Sequence, residues 1–412
     1  MEQGPNNKTL IGDRRPWSRW RTGIAAAAVA LLVAACGGSD PYEPGTGSPS
    51  GGPTAPPSGG FTSLVSFGDS LSDIGTYTPA TVVPGTNPPI YVGGKFTTNG
   101  PSGTVWVENL ATALGLLITP AEVGFAGQSV ACPAAAQGLG TTCTGYAQGG
   151  SRVTDPNGIG KAGGALTVPV KTQIANHLAR FGSFTANDLI IVGFAGPNDV
   201  FVQFGAFAAK AAQIQADAQA GRITPDQAQQ LLLDAQLVGF EEMKKAGLEL
   251  AGYVKSEILA KGGKYVAVWN MPDVALTPFG QAVPAQARSV LTAMVDIFNL
   301  WLREGLTDQP VRLVDANTYF RDAYLNPGKY GFTNSTVPAC DPAKISVITG
   351  GRVTDGSSLF CNATPGVPFN GLRDGADVNT WQFADSVHPT TGAQKLISDI
   401  ALQELKSYGW VN

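Results

Sequence analysis

Short apolar runs of strand length recur along the chain, at 61–67, 188–194, 264–270 and 311–314. Between them the apolar positions shift to helical spacing. One such stretch covers 106–114, and another covers 169–181, where Ile174, Leu178 and Phe181 share a face. A longer block from about 203 to 261 is rich in Ala and Gln, and its second helix opens on a capping box, Thr224-Pro-Asp-Gln227. The last helix is expected to start at a similar box, Thr391-Gly-Ala-Gln394, and to carry Leu396, Ile397, Ile400 and Leu405 before Gly409. Strands alternating with helices predict an α/β chain, a parallel sheet covered on both faces. No internal repeat interrupts this order. The 203–261 block reads as a helical insertion into the same domain, a solvated scaffold rather than a lid or a partner surface.

The N-terminus follows different rules. Arg14, Arg15, Arg19 and Arg21 precede a short apolar run from Gly23 to Ala35, and Cys36 follows. A basic segment, a short apolar segment and small residues at its end describe a signal peptide over 1–35. The run is too short to cross a bilayer as a helix of about 20 residues. Leu32-Val33-Ala34-Ala35-Cys36 resembles a bacterial lipobox, which makes Cys36 the expected lipidated N-terminus of the mature chain. Residues 36–60 are dominated by Gly, Pro and Ser and read as a flexible tether. Acyl chains on Cys36 contribute ~0.8 kcal/mol per buried methylene, enough together to hold the chain on a membrane. Gly37, rather than Asp, follows the cysteine, a resemblance to lipoproteins of the outer membrane. The expected location is therefore the cell envelope, with the domain periplasmic or surface-facing from residue 61 to 412.

Composition removes several classes of function. A net charge of −4 over 412 residues, with no basic stripe, argues against a nucleic-acid partner. Two histidines, His177 and His388, far apart in the chain, do not form a metal site of the H-E-x-x-H kind. Setting Cys36 aside leaves Cys132, Cys143, Cys340 and Cys361, an even number in an exported chain. Of three connectivities, local pairing (Cys132 with Cys143, Cys340 with Cys361) is expected, with free thiols as the alternative. Cysteines without histidines at zinc spacing speak against a metal.

Four segments carry candidate chemistry. Gly68-Asp69-Ser70-Leu71-Ser72 follows the first strand, where a hydroxyl at a strand-to-helix turn is exposed among backbone N–H groups. The alternative is a serine that merely caps a helix. Asp385-Ser-Val-His388 stands ahead of the last helix, spaced so that the carboxylate orients the imidazole as a base for a serine hydroxyl. Gly196-Pro-Asn198-Asp199 falls at the carboxyl end of a strand, the crevice side of a parallel sheet, where Asn198 offers an amide donor. Gly149-Gly150-Ser151 permits close backbone approach. His177, beside an apolar helix face with no acidic neighbour, is expected to be a boundary residue.

In this order the four segments resemble the GDSL (SGNH) hydrolase family, over roughly residues 61–412. Ser70 stands at the nucleophile position, Gly150 at the second-block glycine with Gly149 as rival, Asn198 in the third block, and Asp385 and His388 in the last. Gly145 stands where many members have asparagine. Phe96-Thr-Thr-Asn-Gly-Pro, Asn270-Met-Pro and the stretch 381–385 are similar to one branch of the family. The resemblance implies a three-layer α/β/α fold with a flavodoxin-like parallel sheet, no metal or organic cofactor, and ester hydrolysis through an acyl-enzyme. Ser70 N–H, Gly150 N–H and the Asn198 side chain would then hold the oxyanion, on a lipid or short-chain acyl ester. A carbohydrate O-acetylesterase, an acyltransferase or a non-catalytic binding protein on the same scaffold are the competing readings. Gly158-Ile-Gly160-Lys-Ala-Gly163 satisfies G-x-G-x-x-G, but no strand precedes it, so it does not read as a dinucleotide site.

Overall fold

The computed structural model describes residues 52–412, so the expected signal segment 1–35 and Cys36 lie outside the described residues. In chain order the elements are β1 (Ser63–Gly68), α1 (Trp106–Ala113), β2 (Glu122–Phe125), β3 (Gln128–Ala131), α2 (Val170–Phe181) and β4 (Asp188–Gly193). Then follow α3 (Pro197–Gln219), α4 (Pro225–Tyr253), β5 (Tyr265–Trp269), α5 (Pro278–Ala282) and α6 (Ala285–Gly305). The chain ends with β6 (Arg312–Val314), α7 (Ala316–Leu325), α8 (Pro342–Ile348) and α9 (Thr391–Ser407).

Four strands pair in parallel in the order β1-β4-β5-β6. Along them side chains alternate between two cores, because successive residues of a strand point to opposite faces. Val65, Phe67, Ile190, Val192, Val266 and Val268 pack with α2, α3, α4 and α6. Leu64, Leu189, Ile191, Ala267 and Trp269 pack with α1 and α9. The result is three layers, α/β/α. Beyond β1, Ser66 donates its N–H to Thr144 O at 2.9 Å and accepts from Tyr146 N–H at 2.8 Å, a parallel bridge at Gly145. With that bridge counted as an edge position, the strand order is the flavodoxin-like 2-1-3-4-5.

Several elements differ from the sequence expectation. The helical block begins at Pro197, not near 203, because Gly196-Pro-Asn-Asp is a helix start with Pro in its first position rather than a turn. Its helices form the crossover from β4 to β5, and Met243, Leu250 and Val254 are fully buried, so the block supplies much of one core layer rather than solvated scaffold. The box at Thr224–Gln227 forms as expected, whereas α9 is capped by Thr390. Thr391 and Gln394 are spent elsewhere: the Thr391 hydroxyl meets Thr98, and Gln394 Oε1 accepts the Trp106 N–H at 3.0 Å. The antiparallel hairpin β2–β3 has no sequence signature, since β3 is exposed throughout and shows no alternation.

Residues 52–60, assigned by composition to the tether, lie against the domain. Pro53 O accepts the Trp410 indole N–H at 2.7 Å, and Ala55 O accepts the Tyr265 hydroxyl at 3.0 Å. Proline-rich backbone keeps its carbonyls free, and here buried aromatic donors take them. His177 is no boundary residue either. It is 2% exposed, stacked on Phe184 at 4.4 Å and boxed by Phe67, Tyr146 and Phe181. Disulfides join Cys132 to Cys143 and Cys340 to Cys361, with Cα atoms 5.4 and 5.9 Å apart.

Candidate active site

The site grows from the carboxyl ends of β1 and β4. Gly68 closes β1 at φ +153°, and any Cβ there would stand 1.9 Å from Gly193 O, so only glycine lets the strands end side by side. Asp69 then caps a single 3-10 turn, Ser70–Ser72, by accepting the Leu71 N–H at 2.9 Å. The turn is too short to carry the helix dipole that the sequence pattern invited. It does present the Ser70 hydroxyl at the strand end. Asp69 is buried, and its second oxygen has no hydrogen-bond partner among the described residues. Burial pushes its carboxyl well above the usual carboxylate range, against the Leu71 N–H, which pulls it down.

Ser70, His388 and Asp385 meet although 318 residues separate the first two. Ser70 Oγ lies 2.8 Å from His388 Nε2, and His388 Nδ1 lies 2.8 and 2.9 Å from the two Asp385 oxygens. Asp385 also accepts backbone N–H groups from Val387 and His388 on Oδ1 and from Ser358 on Oδ2. Burial opposes its charge, yet the imidazole and these donors hold its carboxyl well below the usual range. An ionised Asp385 fixes a proton on Nδ1 and leaves Nε2 to accept from Ser70. Phe96 packs on the His388 ring, centroids 4.8 Å apart.

Asn198 sits in the first turn of α3, after Gly196 in the left-handed region. One hydrogen of its amide goes to Ser151 O at 2.9 Å, which leaves the other N–H for a ligand. Asp199 pairs with Arg152 at 2.9 Å and accepts the Val153 N–H, so with Asn198 on Ser151 O α3 holds the 151–153 loop at three points. Between the rival glycines the geometry discriminates. The Gly149 N–H is donated to Asp73 Oδ2 at 2.8 Å, whereas the Gly150 N–H has no acceptor among the described residues. Gly150 has φ +78°, and a Cβ there would meet Ile159 O at 2.0 Å. A Cβ on Gly158, from the rejected glycine motif, would meet Gly150 O at 2.2 Å, so that glycine serves close packing of this loop. Gly145 belongs to the sheet edge.

Sequence reading missed the groups that hold these backbones. Asp73 accepts from Gly75, Thr76 and Gly149, and burial raises its carboxyl to about 6. Gln173, buried in α2, grips Gly68 from both sides: its Oε1 accepts the Gly68 N–H at 2.9 Å, and its Nε2 donates to Gly68 O at 2.8 Å. Asp73 was visible, three residues after Ser70 in the first block; Gln173 had no signal. Among the described residues no group of three or more His, Cys, Asp or Glu converges as a metal site.

Comparison with known proteins follows the same lines. The profile of the family described as GDSL-like Lipase/Acylhydrolase matches residues 64–401. A Pseudomonas putida protein described as an uncharacterized protein in the trpE-trpG intergenic region is 28% identical over 167 residues, 39% of this chain and 25% of its own length. "Esterase EstA" of Pseudomonas aeruginosa and that of Pseudomonas putida are each 29% identical over 138 residues, 33% of this chain. The chain thus spans a quarter or less of the length of the curated relatives it matches, 25% of the first and 19% of the esterases.

Proposed function

The chain belongs to the GDSL-like lipase/acylhydrolase family, and from that premise we propose that it hydrolyses carboxylic esters through an acyl-enzyme on Ser70. The observation that carries the reading is the unbroken line from Ser70 Oγ through His388 to Asp385, with contacts of 2.8 Å. A serine hydroxyl is a weak nucleophile at neutral pH and needs a base within hydrogen-bond reach. In the proposed cycle Nε2 takes the Ser70 proton as Oγ attacks the ester carbonyl. The carbonyl oxygen gains a negative charge and is met by Ser70 N–H, Gly150 N–H and the free N–H of Asn198. Imidazolium then protonates the departing alcohol. Water, deprotonated by the same nitrogen, attacks the acyl carbon, and the Ser70 proton returns as the carboxylic acid leaves.

Lipid or short-chain acyl esters are the proposed substrates; the relatives described as esterases support hydrolysis, while an acetylated sugar or an acyl acceptor would call on the same residues and is distinguished by assay. The lipidated Cys36 and envelope location remain part of the proposal on sequence grounds. The test is a panel of aryl esters from acetyl to palmitoyl beside acetylated sugars, run on the wild-type chain and on Ser70→Ala. Hydrolysis abolished by Ser70→Ala, with aryl or acyl esters preferred, supports the reading. Equal turnover by the Ser70→Ala chain refutes it.

A further inference from the structure

The oxyanion reading leaves one physical problem open. Gly150 N–H belongs to the peptide unit between two glycines, and neither has a side chain to resist rotation of that plane. In a trans peptide the C=O and the N–H point in opposite directions. A half-turn of the 149–150 plane would therefore withdraw the donor and present the Gly149 carbonyl oxygen in its place. An oxyanion facing that carbonyl would be repelled. Something must hold the plane.

Tyr77 is built to do so. Its hydroxyl donates to Gly149 O at 2.8 Å, the opposite end of the peptide that carries Gly150 N–H. The direction of that bond is fixed, because a carbonyl can only accept, and the same hydroxyl oxygen accepts the Thr167 N–H at 3.0 Å. Thr167 is a buried β-branched residue at φ +46°, a strained conformation that aims its N–H at the tyrosine. The Tyr77 ring is itself fixed edge-on against Phe96, centroids 6.1 Å apart, and Phe96 is the ring packed on His388. On the preceding peptide Asp73 holds Gly149 N–H.

We propose that Tyr77 is a positioning residue of the oxyanion hole, a latch that fixes the 149–150 peptide with Gly150 N–H turned toward the substrate. The Gly149 carbonyl, being hydrogen-bonded, also polarises its own peptide, which makes Gly150 a stronger donor. Burial, with Asp73 nearby, pushes the Tyr77 hydroxyl far up, so it stays a donor at any working pH. The latch rests on the acyl-enzyme reading above, but it fails separately from it.

Tyr77→Phe removes one oxygen and keeps the ring. In the full-length chain it should lower kcat roughly 5–50-fold, part of the 10²–10³ that a whole oxyanion donor supplies. KM should stay within about twofold, since the donor acts on the transition state. Affinity for an alkyl boronic acid, which forms a tetrahedral adduct on the serine, should fall by the same factor as kcat. Asp73→Asn, which sets an amide N–H against Gly149 N–H, should give the same kcat-selective loss and serves if Tyr77→Phe does not fold. Unchanged kcat and boronate affinity in a folded Tyr77→Phe, or a loss confined to KM, overturns the latch. Ser70→Ala and Asn198→Ala are run alongside. If they keep full activity the functional reading itself falls; if they lose it while Tyr77→Phe does not, only the latch falls.

Discussion

Replacing Asp385 by asparagine changes one atom and should disable the site through a tautomer. The two carboxylate oxygens divide their donors unequally, with Val387 and His388 N–H on Oδ1 and Ser358 N–H on Oδ2. An asparagine amide nitrogen in the place of Oδ1 would confront two backbone N–H groups. In the place of Oδ2 it confronts one, so that orientation is favoured, at a cost of about 1–3 kcal/mol for the stranded Ser358 donor. There its hydrogen faces His388 Nδ1, where an oxygen stood at 2.8 Å, while the remaining oxygen, 2.9 Å from Nδ1, already serves two backbone donors and competes poorly for the ring proton. Nδ1 then becomes an acceptor, the ring proton moves to Nε2, and Nε2–H points at Ser70 Oγ instead of accepting from it. A base in the wrong tautomer costs about 10⁴ in kcat. The assay is steady-state hydrolysis of an aryl ester at neutral pH with a fluorophosphonate labelling rate in parallel. Both should fall together while the melting curve moves only by a few degrees. Activity within tenfold of wild type in a folded Asp385→Asn chain would sink the argument.

Ser70→Ala and His388→Ala should each lower kcat by a factor on the order of 10³ or more, and the double variant should be scarcely worse, because the pair acts as a unit. Asn198→Ala should cost about 10²–10³ with its Ser70 still labelled by fluorophosphonate; an additive double variant or an unaffected Asn198→Ala counts against the site. Burial pulls the His177 imidazole down to about 4. As pH falls from about 6.5 toward 4, the unfolded chain therefore binds a proton that the folded one refuses, and up to about 3 kcal/mol of stability is lost across that window. Urea unfolding of His177→Leu should show a flatter pH dependence there, and an unchanged slope would contradict it. Cys340→Ser/Cys361→Ser and Cys132→Ser/Cys143→Ser open loops of 21 and 11 residues and should each cost roughly 2–4 kcal/mol in denaturant midpoints; midpoints unmoved in both would refute this. Cys36→Ser should release the chain from membranes in fractionation, and retention there would end the anchor proposal.

What the sequence revealed and what it hid divide along a physical line. The strands of the central sheet, β1, β4, β5 and β6, were legible because their side chains meet apolar neighbours on both faces, whatever those neighbours are. Asp385 and His388 were legible because three residues in a turn bring them together without help from the fold. Ser70 and Asn198 were legible as strand-end groups of a parallel sheet, where a crevice follows from the topology. The start of α3 was misread for a local reason: Pro197 and Asn198 suit a turn and a first helical turn equally, and only the packing of Val200 and Phe204 into the core decides. The cap of α9 slipped by one residue because Thr390 and Thr391 are chemically identical, and Thr98, from a distant segment, claims the second.

The groups that aim the catalytic atoms belong to the hidden part, and for one reason. Gln173, Tyr77 and Asp73 hold backbone groups, and Ser358 holds the Asp385 carboxylate through its own backbone N–H. Each of these bonds uses a backbone C=O or N–H at one end, across separations of 105 residues for Gln173 and 72 for Tyr77. Every residue offers the same backbone donor and acceptor, so such a partnership leaves no complementary residue to read. The first block shows how much depends on them. Gly68 has no side chain and Gly149–Gly150 has none, so both turns can approach the reacting carbon, and neither can hold itself. Gln173 grips the first, and Asp73 with Tyr77 grips the second. The glycines give access, and buried polar side chains from elsewhere restore the rigidity that the glycines surrender.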